Sequence, residues 1–430
     1  MQRIALITYL YGDKSSTVSG LRTESWAKGF AAAGIEVTVF TRDWVEVKDI
    51  KLSGHQDSAN YHEKKIEESG NIRIIYLPYK KPHEPSSSLM RKIHSNFFAL
   101  TGRYSGEGDI NQWYDEIVDE HKKTPFTHFI TSCHPFSSLI LMYRLQKQFS
   151  NCITLVDFRD YVNINLLNPN VKFGFFSKQV ISIQQKWITH YAKKINLITT
   201  ASESISEKFV QVHGCRNVTT IYNGFEENLF DNVEETGQNN LFNVSLIGTL
   251  YSYQDINFML EGLLGFFKQN DSANDIMVNF IGVDYFPLVS KQISDGLAEH
   301  TSKFKITPRI QRSKAIAIMK NSAILFYVGW KGWKGIYSGK IFEYLGAKKN
   351  ILIAPNDGDV LEKLINYTRS GKLADTPQEM TTILNSWYDQ WKKNEIAYDG
   401  VNERINEYTR ESQAKKLVDL IRSFSKNNTH

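Results

Sequence analysis

The residues of this sequence best suited to chemistry lie in the segment GWKGIYSGKIFEYLGAKKNILIAP, which ends at Pro355. Gly335 and Gly339 let a backbone approach a ligand closely, a helix predicted to start at Lys340 offers free N–H groups to phosphate, and Lys340 adds a full positive charge. That combination suits a diphosphate. Glu343, one turn into the same helix, is placed to accept hydrogen bonds from vicinal hydroxyls such as those of a ribose. A carboxylate there can also do no more than complement the helix dipole, and on the residue types alone that plainer reading is favoured.

A second group lies in the first half of the chain. His134 and the cluster Asp157, Arg159 and Asp160 follow predicted strands whose carboxyl ends are the usual ligand position in α/β sheets. A lone histidine is more often structural than catalytic, and Arg159 could simply pair with a neighbouring aspartate and stiffen its loop. The turn Tyr11–Gly20 follows the first strand, where Ser19 and Gly20 could present backbone N–H groups to a diphosphate or form a plain turn before a helix.

The elements that must position these residues are short apolar runs alternating with amphipathic segments, the pattern of strand-helix-strand units and parallel sheets covered on both faces. One series runs through Ile4–Tyr9, a helix near Thr23–Ala33, Glu36–Thr41, Ile72–Leu77, Phe129–Ser132, Thr154–Phe158, Leu197–Ala201 and Val218–Tyr222. Lys80–Asp109 reads as a loop or insertion. The acidic, amide-rich stretch EENLFDNVEETGQNN, residues 226–240, reads as an exposed linker. A second series then begins with the strand Phe242–Ile247 and the helix Ile256–Lys268. It continues through the strand Met277–Gly282, the helix Pro287–His300, the strand Phe304–Ile306 and the helix Ser313–Lys320. The strand Ala323–Val328, the helix Lys340–Ala347 and the strand Asn350–Ala354 complete it. The last stretch, Thr409–Ser425, is an amphipathic helix with Ala414, Leu417, Val418 and Ile421 on one face.

At 430 residues, the chain exceeds what one core usually organises, and two domains are expected. Its 41% hydrophobic and 23% charged residues are those of a folded chain. The net charge of +5 is mild and acidic residues are interspersed throughout, so nucleic acid is not an expected partner. Three cysteines without a CxxC pair argue against a disulfide framework and against zinc, and fit a reducing cytosol. The start MQRIALITYLYGDKSS turns polar after its first ten residues, lacks a signal peptide's apolar stretch and reads as a strand. No apolar run reaches the length of about 18 residues that a membrane span needs.

GKIFEYLGAKKNILIA resembles the "GKxFEYLaagkPIL" segment of retaining glycosyltransferases of the family 4 type, whose fold is called GT-B. DFRD at Asp157–Asp160 resembles that family's "DFRDPW", TSCHPFSS at Thr131–Ser138 its "TgPPfS" turn, and ITTASESISEKF at Ile198–Phe209 its "vtvSeglaekl". IYNGFEENLF at Ile221–Phe230 is similar to "IpNGfdpeeF", and VSLIGTLYSYQDINFMLEGL at Val244–Leu263 to the opening of the family's second domain. Arg309–Tyr327 matches a further segment, a helix leading into a strand. The order and spacing of these matches, across roughly three quarters of the chain, make the resemblance specific.

The resemblance implies two Rossmann-like, doubly wound domains facing a deep cleft. Residues 1–225, with 409–430 packing back, would bind the acceptor; 226–240 would link; 241–400 would bind the nucleotide sugar. It implies a donor of UDP or GDP type held by Ser19, Gly20, Gly248, Thr249, Arg309, Gly335, Gly339, Lys340, Ile341 and Glu343, with His134, Asp157, Arg159 and Asp160 as candidate catalytic residues. Transfer with retention of configuration would need no protein nucleophile. No DxD-like metal motif stands out, so no essential metal or cofactor is expected.

Two departures bear on the site. Many members carry two glutamates eight positions apart; Glu343 is the second, and Gly335 stands at the first. Many also carry an Arg-Lys pair after the "Gt" of the second domain, where this chain has Tyr251, Tyr253 and Gln254. Phosphate charge then falls to Lys340, Arg309 or residues of Arg312–Lys314. Members with a DFRD-type first domain act in bacterial surface-polysaccharide assembly, so the implied acceptor is a glycan or lipid-linked intermediate at the inner face of the membrane. Two stretches could touch an anionic membrane. They are Met90–Tyr104 and Val171–Lys194, the latter with Phe173, Phe175, Phe176, Trp187 and Tyr191 among five lysines. Its alternative is an ordinary helix with its aromatic face in the core. The rival functions are a catalytically silent nucleotide-sugar-binding subunit, another GT-B enzyme such as an epimerase, and a dehydrogenase, which the lack of GxGxxG after the first strand disfavours.

Overall fold

The computed structural model describes residues 2–12, 18–43, 63–78, 87–90, 93, 110–133, 137–161, 175–233 and 240–427. The chain divides into two compact units, Met1–Asn223 with Glu411–His430, and Gly224–Arg410.

The first unit is built on eight strands: β1 Arg3–Ile7, β2 Glu36–Arg42, β3 Lys65–Ser69, β4 Ile72–Leu77, β5 His128–Cys133, β6 Ile153–Phe158, β7 Leu197–Thr200 and β8 Val218–Thr220. Their order is β3-β4-β2-β1-β5-β6-β7-β8. Every neighbouring pair is parallel except β3 and β4. The central strands are buried along nearly their whole length, which is why they appear in the sequence as apolar runs without alternation. β3, KIEES, is mostly exposed and charged. It lies at the sheet edge, where charge blunts pairing with other chains, and for that reason it carries no strand signature.

The helix Val18–Ala32 follows β1 and buries Trp26, Ala27 and Phe30 against Ile4, Leu6, Val37 and Val39. The C-terminal helix Arg410–Asn427 adds Ala414, Leu417, Val418 and Ile421 to this core. Burying side chains of this size contributes roughly 1.5–3 kcal/mol each for the larger ones, and that apolar face fixes an otherwise charged helix.

The second unit carries β9 Phe242–Ile247, β10 Ile276–Ile281, β11 Phe304–Thr307, β12 Ile324–Tyr327, β13 Asn350–Ile353 and β14 Gly371–Leu373. The order is β11-β10-β9-β12-β13-β14 and all pairs are parallel. From β9 the chain builds outward to β11 on one side and then, from β12, to β14 on the other. The direction therefore reverses between β9 and β12, which makes their carboxyl ends the topological switch point of this sheet.

Part of the stretch expected as a linker is built into this unit. Residues Asn228–Asp231 are helical, Phe230 is buried against Phe225, and Lys320 Nζ donates to the carbonyls of Phe230 and Val233 at 2.8 and 2.9 Å. Of the three apolar residues of this otherwise polar run, Leu229, Phe230 and Val233, the buried Phe230 anchors it.

The aromatic stretch Val171–Lys194 contains the helix Phe175–Ala192, in which Trp187 and Tyr191 stack edge to face at 4.8 Å and Tyr191 meets Tyr143 at 5.0 Å. Both rings are half-buried, and Tyr191 packs across to the helix Ser137–Gln148 that carries Tyr143. Phe173 and the side chains of Phe175 and Phe176 lie outside the described residues, as does most of Met90–Tyr104. Among the described residues no helix is long and apolar enough to cross a membrane. Cys133, Cys152 and Cys215 are free and buried.

Candidate functional site

In the second unit the residues singled out by sequence converge on the switch point. Gly248 follows β9 directly, with φ +105°, a conformation that side-chain-bearing residues rarely adopt. The Lys340 side chain passes over it. A Cβ at Gly248 would lie 2.1 Å from Lys340 Cε and 2.5 Å from Nζ, so glycine is what admits the lysine. Lys340 Nζ donates to the Thr249 carbonyl at 2.7 Å. Gly339 opens the helix Gly339–Ala347, and Ser338 at its N-cap makes no capping bond with its side chain. The amides of Gly339 and Lys340 open the helix beside the lysine, an arrangement that receives phosphate, while the Ile341 amide donates to the Ser338 carbonyl at 3.3 Å. The Ile341 side chain is fully buried, so only its backbone can take part.

Burial pushes the Lys340 amine down to about 7, with Arg309 adding to the shift and Glu343 opposing it. A cation so crowded gains from any anion that replaces its lost water. Arg309, just beyond β11, is exposed.

Glu343 lies on the same helix with its side chain 17% exposed, and its Oε1 accepts from Arg312 Nε at 3.0 Å. Arg312 also approaches Glu226 at 3.6 Å, and Glu226 pairs with the buried Arg410. Arg312 thus lies between two carboxylates, which share its charge. This network was not visible in sequence, because its members lie as far apart as residues 226 and 410.

Gly335 does not offer its amide to a ligand: the N–H donates to Asp359 Oδ2 at 2.7 Å. Its φ of +74° is a backbone conformation that favours glycine over a side-chain-bearing residue such as glutamate.

In the first unit, Asp157 is buried and engaged by neighbouring side chains. Its side chain is 0% exposed and pairs with Arg22, 1% exposed, through two hydrogen bonds of 2.8 and 3.2 Å. Ser132 and Thr199, its register partners on β5 and β7, donate their hydroxyls at 3.3 and 2.8 Å. Arg22 further donates to the carbonyls of Ile221 and Tyr222 and lies over the Trp26 ring at 4.7 Å. The arrangement is a buried tie between the first helix, the sheet and the segment after β8. Sequence reasoning passed over Arg22, whose signal was a lone arginine one helical turn before Trp26 on a buried stripe. Arg159 is half-buried with its Nε unbonded among the described residues, and Asp160 is exposed. Asp157 pairs with Arg22, not with Arg159. Ser19 and Gly20 lie in the first turn of the helix after β1, at the switch between β1 and β5. His134 lies outside the described residues.

Solved structures with this arrangement of two parallel sheets exist. A glycosyltransferase from Rickettsia africae matches at a TM-score of 0.63 with 13% identity, over 99% of both chains. The chain has the GT-B fold. A sucrose-phosphate synthase from Thermosynechococcus elongatus shares it, with a TM-score of 0.63, 14% identity, and coverage of 99% of this chain and 100% of that one. So does Anabaena HepE in complex with UDP and glucose, at 0.60 and 13% identity over 98% and 100%. At these identities the GT-B likeness is one of fold. No protein-family profile and no curated protein matches the sequence.

Proposed function

We propose that this chain is a glycosyltransferase that takes a sugar from a nucleoside diphosphate sugar of uridine or guanosine type and transfers it to a glycan or lipid-linked acceptor with retention of configuration. The observation that carries the reading is the seat of Lys340. A glycine with positive φ, the end of β9 and the start of a helix are arranged around one desolvated amine at the switch point of an all-parallel sheet. The ligand that satisfies such a seat is anionic, and Glu343 one turn on supplies acceptors for ribose hydroxyls. HepE, of the same fold, has been solved with UDP-glucose.

In this reading the second unit holds the donor and the first the acceptor. Ser19 and Gly20 lie at the first unit's own switch point. The acceptor hydroxyl forms a bond to the anomeric carbon as the bond to the β-phosphate oxygen breaks, and the departing diphosphate takes the hydroxyl proton. Lys340 and the helix amides stabilise the charge that develops on that diphosphate. The burial of Asp157 agrees with a route that uses no protein carboxylate as nucleophile.

A second reading, binding without turnover, is favoured by one observation: Gly335 leaves no carboxylate at the position where the resemblance places one. Turnover of bound donor over a panel of acceptors separates the two.

The direct test is thermal unfolding with UDP, GDP and the bare nucleosides. A diphosphate at about a hundred times its Kd should add about 2.7 kcal/mol of stability. That corresponds to a rise in Tm of several degrees, at roughly 2–4 °C per kcal/mol for a unit of this size. If no nucleoside diphosphate raises Tm, the donor-site reading is wrong.

A further inference from the structure

We propose that Tyr253, backed by Tyr251, Trp330 and Trp333, is the platform on which the glycosyl ring of the donor stacks; the inference rests on the second unit being the donor site. The loop after β9 and the loop after β12 bring these rings together at the switch point. Tyr253 stacks on Tyr251 with centroids 5.3 Å apart and planes 26° apart, and it meets Trp330 at 5.5 Å and Trp333 at 5.7 Å. Trp330 and Trp333 are only 5% and 8% exposed, whereas Tyr253 is 50% exposed. One face of a preformed aromatic cluster is therefore left to solvent.

Hydrogen bonds tie the backing residues into the two loops. Gln254 accepts from the Tyr251 amide at 3.0 Å and donates to the Val328 carbonyl at 2.7 Å, which ties the β9 loop to the end of β12. Trp330 Nε1 donates to the Tyr327 hydroxyl, and that hydroxyl donates to Ser338 Oγ at the N-cap of the Lys340 helix. Backing rings that are already packed need no rearrangement when a ligand covers Tyr253.

Placement identifies the ligand moiety. Along the helix, Glu343 lies one turn inside Lys340, and the helix start lies between Lys340 and the Trp330–Trp333 loop. If the ribose is at Glu343 and the diphosphate at Lys340, what lies beyond the diphosphate on the side of the rings is the transferred sugar. The loop residues Tyr251, Ser252, Tyr253 and Gln254 carry no positive charge, so their side chains offer phosphate no cation. The Gly335 amide is already bound to Asp359, which leaves stacking, in place of hydrogen bonding from that position, to hold the ring. Sugars present a face of C–H groups to which an aromatic quadrupole is attractive.

The test compares UDP with UDP-glucose, UDP-galactose, UDP-N-acetylglucosamine and GDP-mannose by calorimetric titration, using whichever sugar nucleotide binds wild type most tightly and its parent diphosphate. Tyr253→Ala should weaken the sugar nucleotide about three- to tenfold while leaving the parent diphosphate unchanged. Tyr253→Phe, which keeps the ring, should bind both like wild type. Equal weakening of both ligands by Tyr253→Ala would place the base or phosphate on the ring and overturn the inference, as would no change in either. If wild type binds no nucleotide at all, the donor-site reading itself fails and the platform with it.

Discussion

Asp157→Ala should destabilise the protein by about 3–5 kcal/mol, because it leaves the Arg22 guanidinium buried without its counter-charge. The carbonyls of Ile221 and Tyr222 remain as acceptors for Arg22, but neutral acceptors do not replace a carboxylate at that depth. Asp157→Asn keeps the shape and the contacts with Ser132 and Thr199, so its loss should be smaller. The double variant Arg22→Met with Asp157→Leu should recover a large part of the loss, since an apolar pair of similar volume carries no desolvation penalty. Urea unfolding of the four proteins reads these differences directly. The opposite pattern, with Asp157→Ala as stable as wild type but without turnover, would return Asp157 to the reacting centre.

The contrast between Asp157 and Lys340 shows which parts of the site could be read from sequence. Mostly buried strands leave short runs rich in apolar residues, and β4 and β9 begin and end at the residues read from the pattern, Ile72–Leu77 and Phe242–Ile247. The edge strand β3 and the three-residue β14 leave no such trace. Lys340 was legible because some of its relevant neighbours are local, a glycine and a helix start beside it and a carboxylate three residues on, whereas the Gly248 and Thr249 side of its seat lies about 90 residues away.

Asp157 looked like a site residue because its type and position at a strand end are those of one. What determines its role is Arg22, 135 residues away, and nothing in the local sequence reveals that partner. Gly335 is similar. Its identity was visible as a departure, but the cause, a positive φ and a bond to Asp359, belongs to the fold. Tyr251 and Tyr253 were likewise visible only as missing cations, and their common surface appears once the β9 and β12 loops are side by side.

Lys340→Met and Glu343→Ala should separate the two halves of a bound nucleotide. Charge-assisted hydrogen bonds contribute about 1.5–3 kcal/mol, so each substitution should weaken UDP about tenfold to a hundredfold. Glu343→Ala should weaken uridine to a similar degree, because the carboxylate serves the ribose, while Lys340→Met should leave uridine unchanged. Glu343→Gln should fall between. Arg312 keeps Glu226 as a partner in the alanine variant, so the fold should survive.

The pH dependence gives an independent check. In the free protein the Lys340 amine is lowered to about 7, whereas a bound diphosphate favours its ammonium form. Below pH 7 Lys340 already carries its proton and contributes no slope. As the pH rises above 7 the complex must take up a proton, and UDP affinity should fall by up to about tenfold per unit until the raised pKa of the complex is reached. Uridine should show no such slope, and Lys340→Met should abolish it. Glu343 opposes the depression, so in Glu343→Ala the decline should begin at lower pH than in wild type. Calorimetric titration in buffers of different ionisation enthalpy counts the proton taken up. A flat UDP profile in wild type would remove Lys340 from the phosphate site, and unchanged UDP and uridine affinity in Glu343→Ala would remove Glu343 from the ribose.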